Sequence, residues 1–246
     1  MASPPADAAT WIGDVMAADR PLRQLDDRLF SVLPEGTAGH AYDNRARAYD
    51  RMIGSRLYNR LAWGSSPADY RRFARRAVQS APGGWFLDAG CGTLLLTADA
   101  YRAAPARPTV VLDRSLGMLR RARQRMRGGE KRLPSHVVFL QADLLDLPFR
   151  PGGFRTVMSM GMLHLFADVG PLAARLESLL LPDGGLYLTS LVENGRLGDR
   201  YLRLLHRHGE VAAPRTAAAL EAGLRGALRR PLSYSVTGNM AYAVAG

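Results

Sequence analysis

The chain has 246 residues, 47% of them hydrophobic, enough to bury a sizeable core in one globular unit, and its formal net charge is +11. No apolar run approaches the roughly 18–20 residues that span a bilayer, and residues 1–7 lack a basic region leading into an apolar stretch, which predicts a cytoplasmic protein. Cys91 is the single cysteine, so an internal disulfide is excluded, and no Cys/His set has zinc spacing, so no metal site is expected.

In chain order, a polar, proline-containing arm to about residue 10 leads into a predicted helix over 10–30. The break at 34–39 precedes two helical segments, about 41–62 and 67–80, the second announced by Ser66-Pro67. Strands and helices then alternate, with strands at 85–89, 109–113, 136–141, 154–160 and 185–191 and helices at 94–104, 115–127 and 171–180. Such alternation predicts a doubly wound α/β fold, a mostly parallel sheet with helices on both faces. Helices near 196–208 and 215–227 follow, and 231–236 and 241–245 around the turn signal Thr237-Gly238-Asn239 read as a closing antiparallel hairpin.

Three strands end in acids. The run Phe86-Leu87-Asp88-Ala89-Gly90-Cys91-Gly92-Thr93 places a carboxylate and a Gly-x-Gly turn at the end of a buried strand, where glycine lets the backbone approach a ligand. A pyrophosphate, as in a dinucleotide, would be repelled by Asp88, whereas S-adenosylmethionine carries an ammonium and a sulfonium and no phosphate. Thr109-Val110-Val111-Leu112-Asp113 ends in an acid suited to a ribose diol, two hydroxyl donors met by one bidentate acceptor. Phe139-Leu140-Gln141-Ala142-Asp143 ends in an acid placed for an adenine amino group, with the Leu144 amide for a ring nitrogen. In a parallel sheet all three carboxyl ends lie along one edge, where ligands bind at the switch point, so the three acids predict one site.

These residues, with Leu112-Asp113-Arg114-Ser115, Met118-Leu119, Val157-Met158-Ser159-Met160, Leu163-His164 and Leu181-Pro182-Asp183-Gly184-Gly185, resemble the class I S-adenosylmethionine-dependent methyltransferases. Within them the likeness is to the quinone-biosynthesis-like group that includes small-molecule, natural-product enzymes. It covers roughly residues 40–192 and implies a seven-stranded sheet, with 1–82 as an arm and helical lid and 83–246 as the core. It implies S-adenosyl-L-methionine as cofactor, held by Asp88, Ala89, Gly90, Cys91, Gly92, Thr93, Asp113, Arg114, Met118, Ala142, Asp143, Leu144, Ser159 and Met160. Tyr42 and Tyr49 match aromatic lid positions that close over the methionine moiety. His164 matches a histidine that faces the acceptor and could act as a base for a phenol or enol proton. One departure is Leu94, where the family usually has a third glycine. It predicts a first helix farther from the loop and a tighter cofactor pocket.

The Met-rich segment from Met158 to Phe166 would line an acceptor pocket for a small hydrophobic molecule methylated at oxygen or carbon, or else pack as ordinary core. A homodimer is compatible with the family. The alternative from another class keeps the fold and uses the cofactor structurally or not at all, for a step such as cyclisation. The net charge raises nucleic acid as a partner, but all but one of the 33 basic residues are arginines, the pattern of compositional bias. The runs at Arg71, Arg72, Arg75, Arg76 and at Arg120, Arg121, Arg123, Arg127 have helical spacing without interleaved aromatics and read as solvated faces. The Asn/Asp-Pro-Pro-aromatic signature of nucleic-acid amine methylation is absent, its position being Ser159-Met160-Gly161-Met162. Asp113 lies 21 residues after Gly92, near the spacing of a dinucleotide ribose acid, yet Asp88 and Asp143 speak against that cofactor.

Overall fold

A computed structural model describes residues 8–35, 50, 59–81, 83–104, 106–129, 133–195 and 197–246. The described α-helices are α1 (Ala8–Gly13), α2 (Pro67–Gln79), α3 (Ala98–Ala103), α4 (Leu116–Arg127), α5 (Gly170–Ser178), α6 (Leu197–Arg207) and α7 (Ala217–Ala227), with a π-helical turn at Asn59–Trp63 and a 3-10 turn at Leu163–Leu165; most of the helix expected over 41–62 lies outside the described residues. The strands are β1 (Arg23–Asp26), β2 (Leu29–Ser31), β3 (Phe86–Ala89), β4 (Thr109–Asp113), β5 (Val137–Gln141), β6 (Phe154–Ser159), β7 (Leu180–Leu191), β8 (Leu232–Thr237) and β9 (Met240–Ala245). They form one sheet in the order β1-β2-β5-β4-β3-β6-β7-β9-β8.

The seven strands from β5 to β8 in that order are the expected set. Pairing is parallel from β5 through β4, β3 and β6 to β7, and antiparallel where β9 meets β7 and β8 meets β9. Because β3, β4 and β5 are covered on both faces, they are buried and largely apolar, with Asp88 the charged residue inside β3, and alternate residues enter two cores. Leu87, Val110, Leu112, Val138 and Leu140 meet α1, α5 and α7 on one side. Phe86, Val111, Phe139 and Met158 meet α2, α3 and α4 on the other. Each large side chain so buried stabilises the fold by roughly 1.5–3 kcal/mol.

The expected helix over 10–30 is replaced by the short α1 and a β1–β2 hairpin. Pro21 lies inside that stretch and biases the residue before it away from helical backbone. The turn closes through the Asp27 amide on Asp26 Oδ1 at 2.7 Å, with Arg28 at φ +55°. The open edge of β5 then supplies what local propensity does not: β2 pairs with it in parallel, Leu29 opposite Phe139, and Phe139 donates its amide to the Arg28 carbonyl at 2.8 Å.

Other boundaries moved for local reasons. The helix expected from residue 94 begins at Ala98, because Leu94 takes the left-handed conformation at φ +55°, which a right-handed helix does not admit. The strand expected from 185 begins at Leu180, with a register shift opposite β6 between Phe154 and Thr156. Helix α2 starts as the Ser66-Pro67 signal predicts, in a capping box in which Ser66 and Asp69 satisfy each other's amides. On α4 the solvated-face expectation fails in part: Arg123 is buried and pairs with Asp26 on β1, so it joins helix to hairpin. Among the described residues no helix is long and apolar enough to cross a membrane.

Candidate cofactor and acceptor site

At the carboxyl edge of β3, β4, β5 and β6 lies a cavity of about 490 Å³. Its volume falls within the range of small-molecule sites. Asp88, Gly90, Cys91, Gly92, Thr93, Asp113, Arg114, Met118, Asp143, Leu144, Met160 and His164 line it, so one cavity gathers most of the residues the sequence nominates. Ala89, Ala142 and Ser159 do not line it. All three are buried, and the Ser159 hydroxyl donates to the Ala89 carbonyl at 2.8 Å, tying β6 to the start of the loop. Tyr42 and Tyr49 lie outside the described residues.

The loop after β3 is held open by backbone geometry. The amides of Gly90 and Cys91 both donate to the Leu112 carbonyl at 2.8 Å. Gly90 is at φ +83°, and a Cβ there would stand 2.6 Å from Met162 Cγ, so glycine serves both conformation and close approach. Leu94, in place of the third glycine, keeps the left-handed conformation at φ +55° while its side chain is almost wholly buried in the core. The turn shape is therefore retained in spite of the substitution.

Asp113 joins two elements. Its Oδ2 accepts the Gly92 amide and its Oδ1 the Ser115 amide, each at 2.8 Å. Both oxygens are thereby fixed in orientation at the mouth of the cavity. Asp143 stands at the end of the neighbouring strand, its Oδ1 accepting the Leu145 amide at 2.9 Å and its Oδ2 3.5 Å from the Arg114 guanidinium. Met118, buried on α4, contributes an apolar floor beside these two acids.

Asp88 is buried and accepts a hydrogen bond from Tyr101 Oη at 2.7 Å. Burial pushes its carboxyl up to about 7, the Tyr101 bond opposes this, and the Asp113 charge adds to it. Burial, reinforced by Asp88, in turn pushes the Tyr101 phenol up. Cys91, flanked by these acids, has its thiol pushed up by burial and by Asp113 and Asp88, which suits a packing residue and not a nucleophile.

Sequence reasoning missed Asp50. It is buried, accepts the Thr93 hydroxyl, and receives Arg121 Nε at 3.1 Å and an Arg125 guanidinium nitrogen at 2.9 Å. Arg125 also donates to the Thr93 carbonyl, so the hydroxyl and the carbonyl of Thr93 are both held by this cluster. Nothing in the local pattern marks Asp50, because its partners come from β3's loop and from α4. Tyr101 carries no local signal either, its phenol reaching Asp88 from α3.

The other end of the cavity is apolar. Met160, Met162, Leu165 and Phe166 line it, as expected for the Met-rich segment, whereas Met158 and Leu163 are sealed in the core. Tyr70 and Trp63 face it from around the start of α2, and Leu205 and Val211 from α6 and beyond. His164 lies on the short turn Leu163–Leu165, and its Nδ1 accepts the Leu191 amide at 3.4 Å. Burial, with the Arg215 charge beside it, lowers the imidazole to about 4.

Residues 86–184 match the family of methyltransferase domains. The matched segment makes up less than half of the chain. It holds the Gly-x-Gly loop, the three acids and His164, and the fold around it is the Rossmann-like methyltransferase fold. An uncharacterised Synechococcus protein is 33% identical over 118 residues, 48% of this chain and 28% of its own length. An uncharacterised chloroplastic methyltransferase of Arabidopsis thaliana is 26% identical over 137 residues, 54% of this chain and 38% of its own length. The chain thus spans less than two thirds of either relative. Geranyl diphosphate C-methyltransferase from Streptomyces coelicolor, solved with S-adenosyl-L-homocysteine, superimposes with a TM-score of 0.60 at 15% identity, over 85% of this chain and 81% of that one.

Proposed function

We propose that this protein transfers a methyl group from S-adenosylmethionine to a small hydrophobic acceptor, at oxygen or at an activated carbon. The observation that carries the reading is the continuity of the cavity. One volume runs from Asp113 and Asp143 past Gly90 to a wall of Met160, Met162, Leu165 and Phe166. In this reading Asp113 holds the ribose and Asp143 with the Leu144 amide the adenine, over Met118. Asp88 faces the cationic methionine end.

The cofactor's sulfonium supplies an electrophilic methyl group, so the chain's own task is to align the acceptor and exclude water. The apolar wall does both, and thioether and aromatic side chains shape it for flat or lipophilic molecules. Leu94 is compatible with cofactor binding, because the loop keeps its left-handed turn without the third glycine. The carbon-methylating neighbour with an isoprenoid substrate fits the same picture of an apolar acceptor beside the cofactor.

The test is transfer of tritiated methyl from S-adenosylmethionine to a panel of phenols, 1,3-dicarbonyl compounds and isoprenoid quinone precursors. Labelled product from at least one hydrophobic class supports the reading. Cofactor binding without transfer to any of them would favour a non-methylating role.

A further inference from the structure

Strand β7 continues past the end of β6, whose last pair is Ser159 with Leu188. The β7 amides beyond that point, on the side away from β9, need other acceptors. The turn after β6 closes back on β7 at this point: Gly161 donates its amide to Thr189 Oγ1 at 2.7 Å, and Leu191 donates its amide to His164 Nδ1 at 3.4 Å. A backbone amide only donates, so Nδ1 supplies a lone pair and carries no proton. Arg215 fixes the same turn by donating to the carbonyls of Leu163 at 3.3 Å and Ala167 at 3.0 Å, which places a permanent positive charge near the ring. That charge opposes a second proton on the imidazole. The ring is therefore neutral with its proton on Nε2. This nitrogen has no hydrogen-bond partner among the described residues and is not sealed inside the protein, and the residue lines the cavity.

We infer that His164 donates its Nε2 hydrogen to an oxygen of the acceptor and does not take the acceptor's proton. This rests on the methyl-transfer reading above and narrows the acceptor to a molecule that reaches the site with an anionic oxygen, as a phenolate or an enolate. The acceptor's proton leaves to solvent before transfer. The ionised oxygen, or the enolate carbon conjugated to it, then forms a bond to the methyl carbon. The carbon–sulfur bond breaks and sulfur keeps the electron pair, leaving S-adenosylhomocysteine as a neutral thioether. His164 stays singly protonated throughout, its hydrogen bond holding the oxygen that carries the charge. The role of base, expected for this residue from the family, is replaced by that of a positioned donor because Leu191 already uses the Nδ1 lone pair.

The test is nitrogen-15 NMR of the histidine rings in the full chain loaded with S-adenosylhomocysteine, at neutral pH, before and after addition of 4-nitrophenol. His164→Leu identifies the resonance. The expected result is a proton on Nε2 alone, with and without the dye. The dye should bind in its yellow ionised form, at least about tenfold more tightly to the wild type than to His164→Leu, with much of that affinity restored in His164→Gln, whose amide also donates. A proton on Nδ1, a doubly protonated ring in the dye complex, or a wild type that holds the dye no better than His164→Leu would overturn the assignment. The tritiated-methyl assay separates these outcomes from a failure of the methyl-transfer reading, because label reaches an acceptor whether His164 acts as donor or as base.

Discussion

Asp113 Oδ2 accepts the Gly92 amide at 2.8 Å, so the acid at the end of β4 holds in place the glycine turn that follows β3. The same carboxylate reaches Ser115 at the head of α4. Replacing Asp113 with alanine removes two amide contacts and the acceptor pair proposed for the ribose. A loss of about 1–3 kcal/mol in cofactor binding is expected from the charge-assisted bonds alone. Titration of the variant with S-adenosylhomocysteine reads it directly, and an unchanged affinity would remove Asp113 from the site.

The buried Asp88 carboxyl, raised to about 7, makes stability depend on pH in a defined direction. Its ordinary value is 3.8, so between about pH 4 and pH 7 the folded chain keeps a proton that the unfolded chain has lost. The contribution is full below pH 4 and is lost as pH rises toward and through 7. The wild type should lose on the order of 2–4 kcal/mol across that window relative to Asp88→Asn, whose amide does not titrate. Denaturant melts of both proteins at a series of pH values provide the comparison. A cationic ligand favours the ionised carboxylate, so cofactor affinity of the wild type should rise with pH over the same range.

Asp50 is the only acid shown accepting from Thr93, Arg121 and Arg125 among the described residues. Asp50→Asn keeps a side chain of the same shape and leaves two guanidinium groups without their anion. Stability should fall by about 1–3 kcal/mol, and affinity for S-adenosylhomocysteine by about tenfold, because the cluster fixes the loop that faces the ligand. Thermal melts and calorimetry together decide this. A destabilised variant with normal affinity would show that the cluster supports the fold and not the loop.

At Leu94 two effects oppose each other. Glycine would relieve a left-handed conformation that costs a leucine roughly 1–2 kcal/mol. It would also remove a buried side chain worth roughly 2–5 kcal/mol and add chain entropy of about 0.5–1 kcal/mol. Burial wins, so Leu94→Gly should be less stable by about 0.5–5 kcal/mol. A more stable variant in chemical denaturation would mean that backbone strain dominates at this position.

The parallel core was legible because its strands are buried on both faces and read as unbroken apolar runs, such as Thr109-Val110-Val111-Leu112-Asp113. The three acids were legible for the same reason: each terminates such a run, and parallel strands bring those ends together. The β1–β2 hairpin was not, because its pairing partner is the edge of β5, more than a hundred residues away, and Pro21 is its one local warning. Asp50 and Tyr101 were invisible in the same sense, since their partners Thr93, Arg125 and Asp88 meet them only after folding. The contact of the Leu191 amide with His164 Nδ1, on which the proposed role of that histidine rests, is contained in no motif.

In the proposed function the cavity holds an S-adenosyl ligand with Asp113 on the ribose. Calorimetric titration of the wild type and Asp113→Ala with S-adenosylhomocysteine, with NADH as a control, tests it most directly. Micromolar binding by the wild type, about a tenfold loss or more in the variant and no heat from NADH are expected. Equal affinities for both proteins, or silence from the wild type, would contradict that reading.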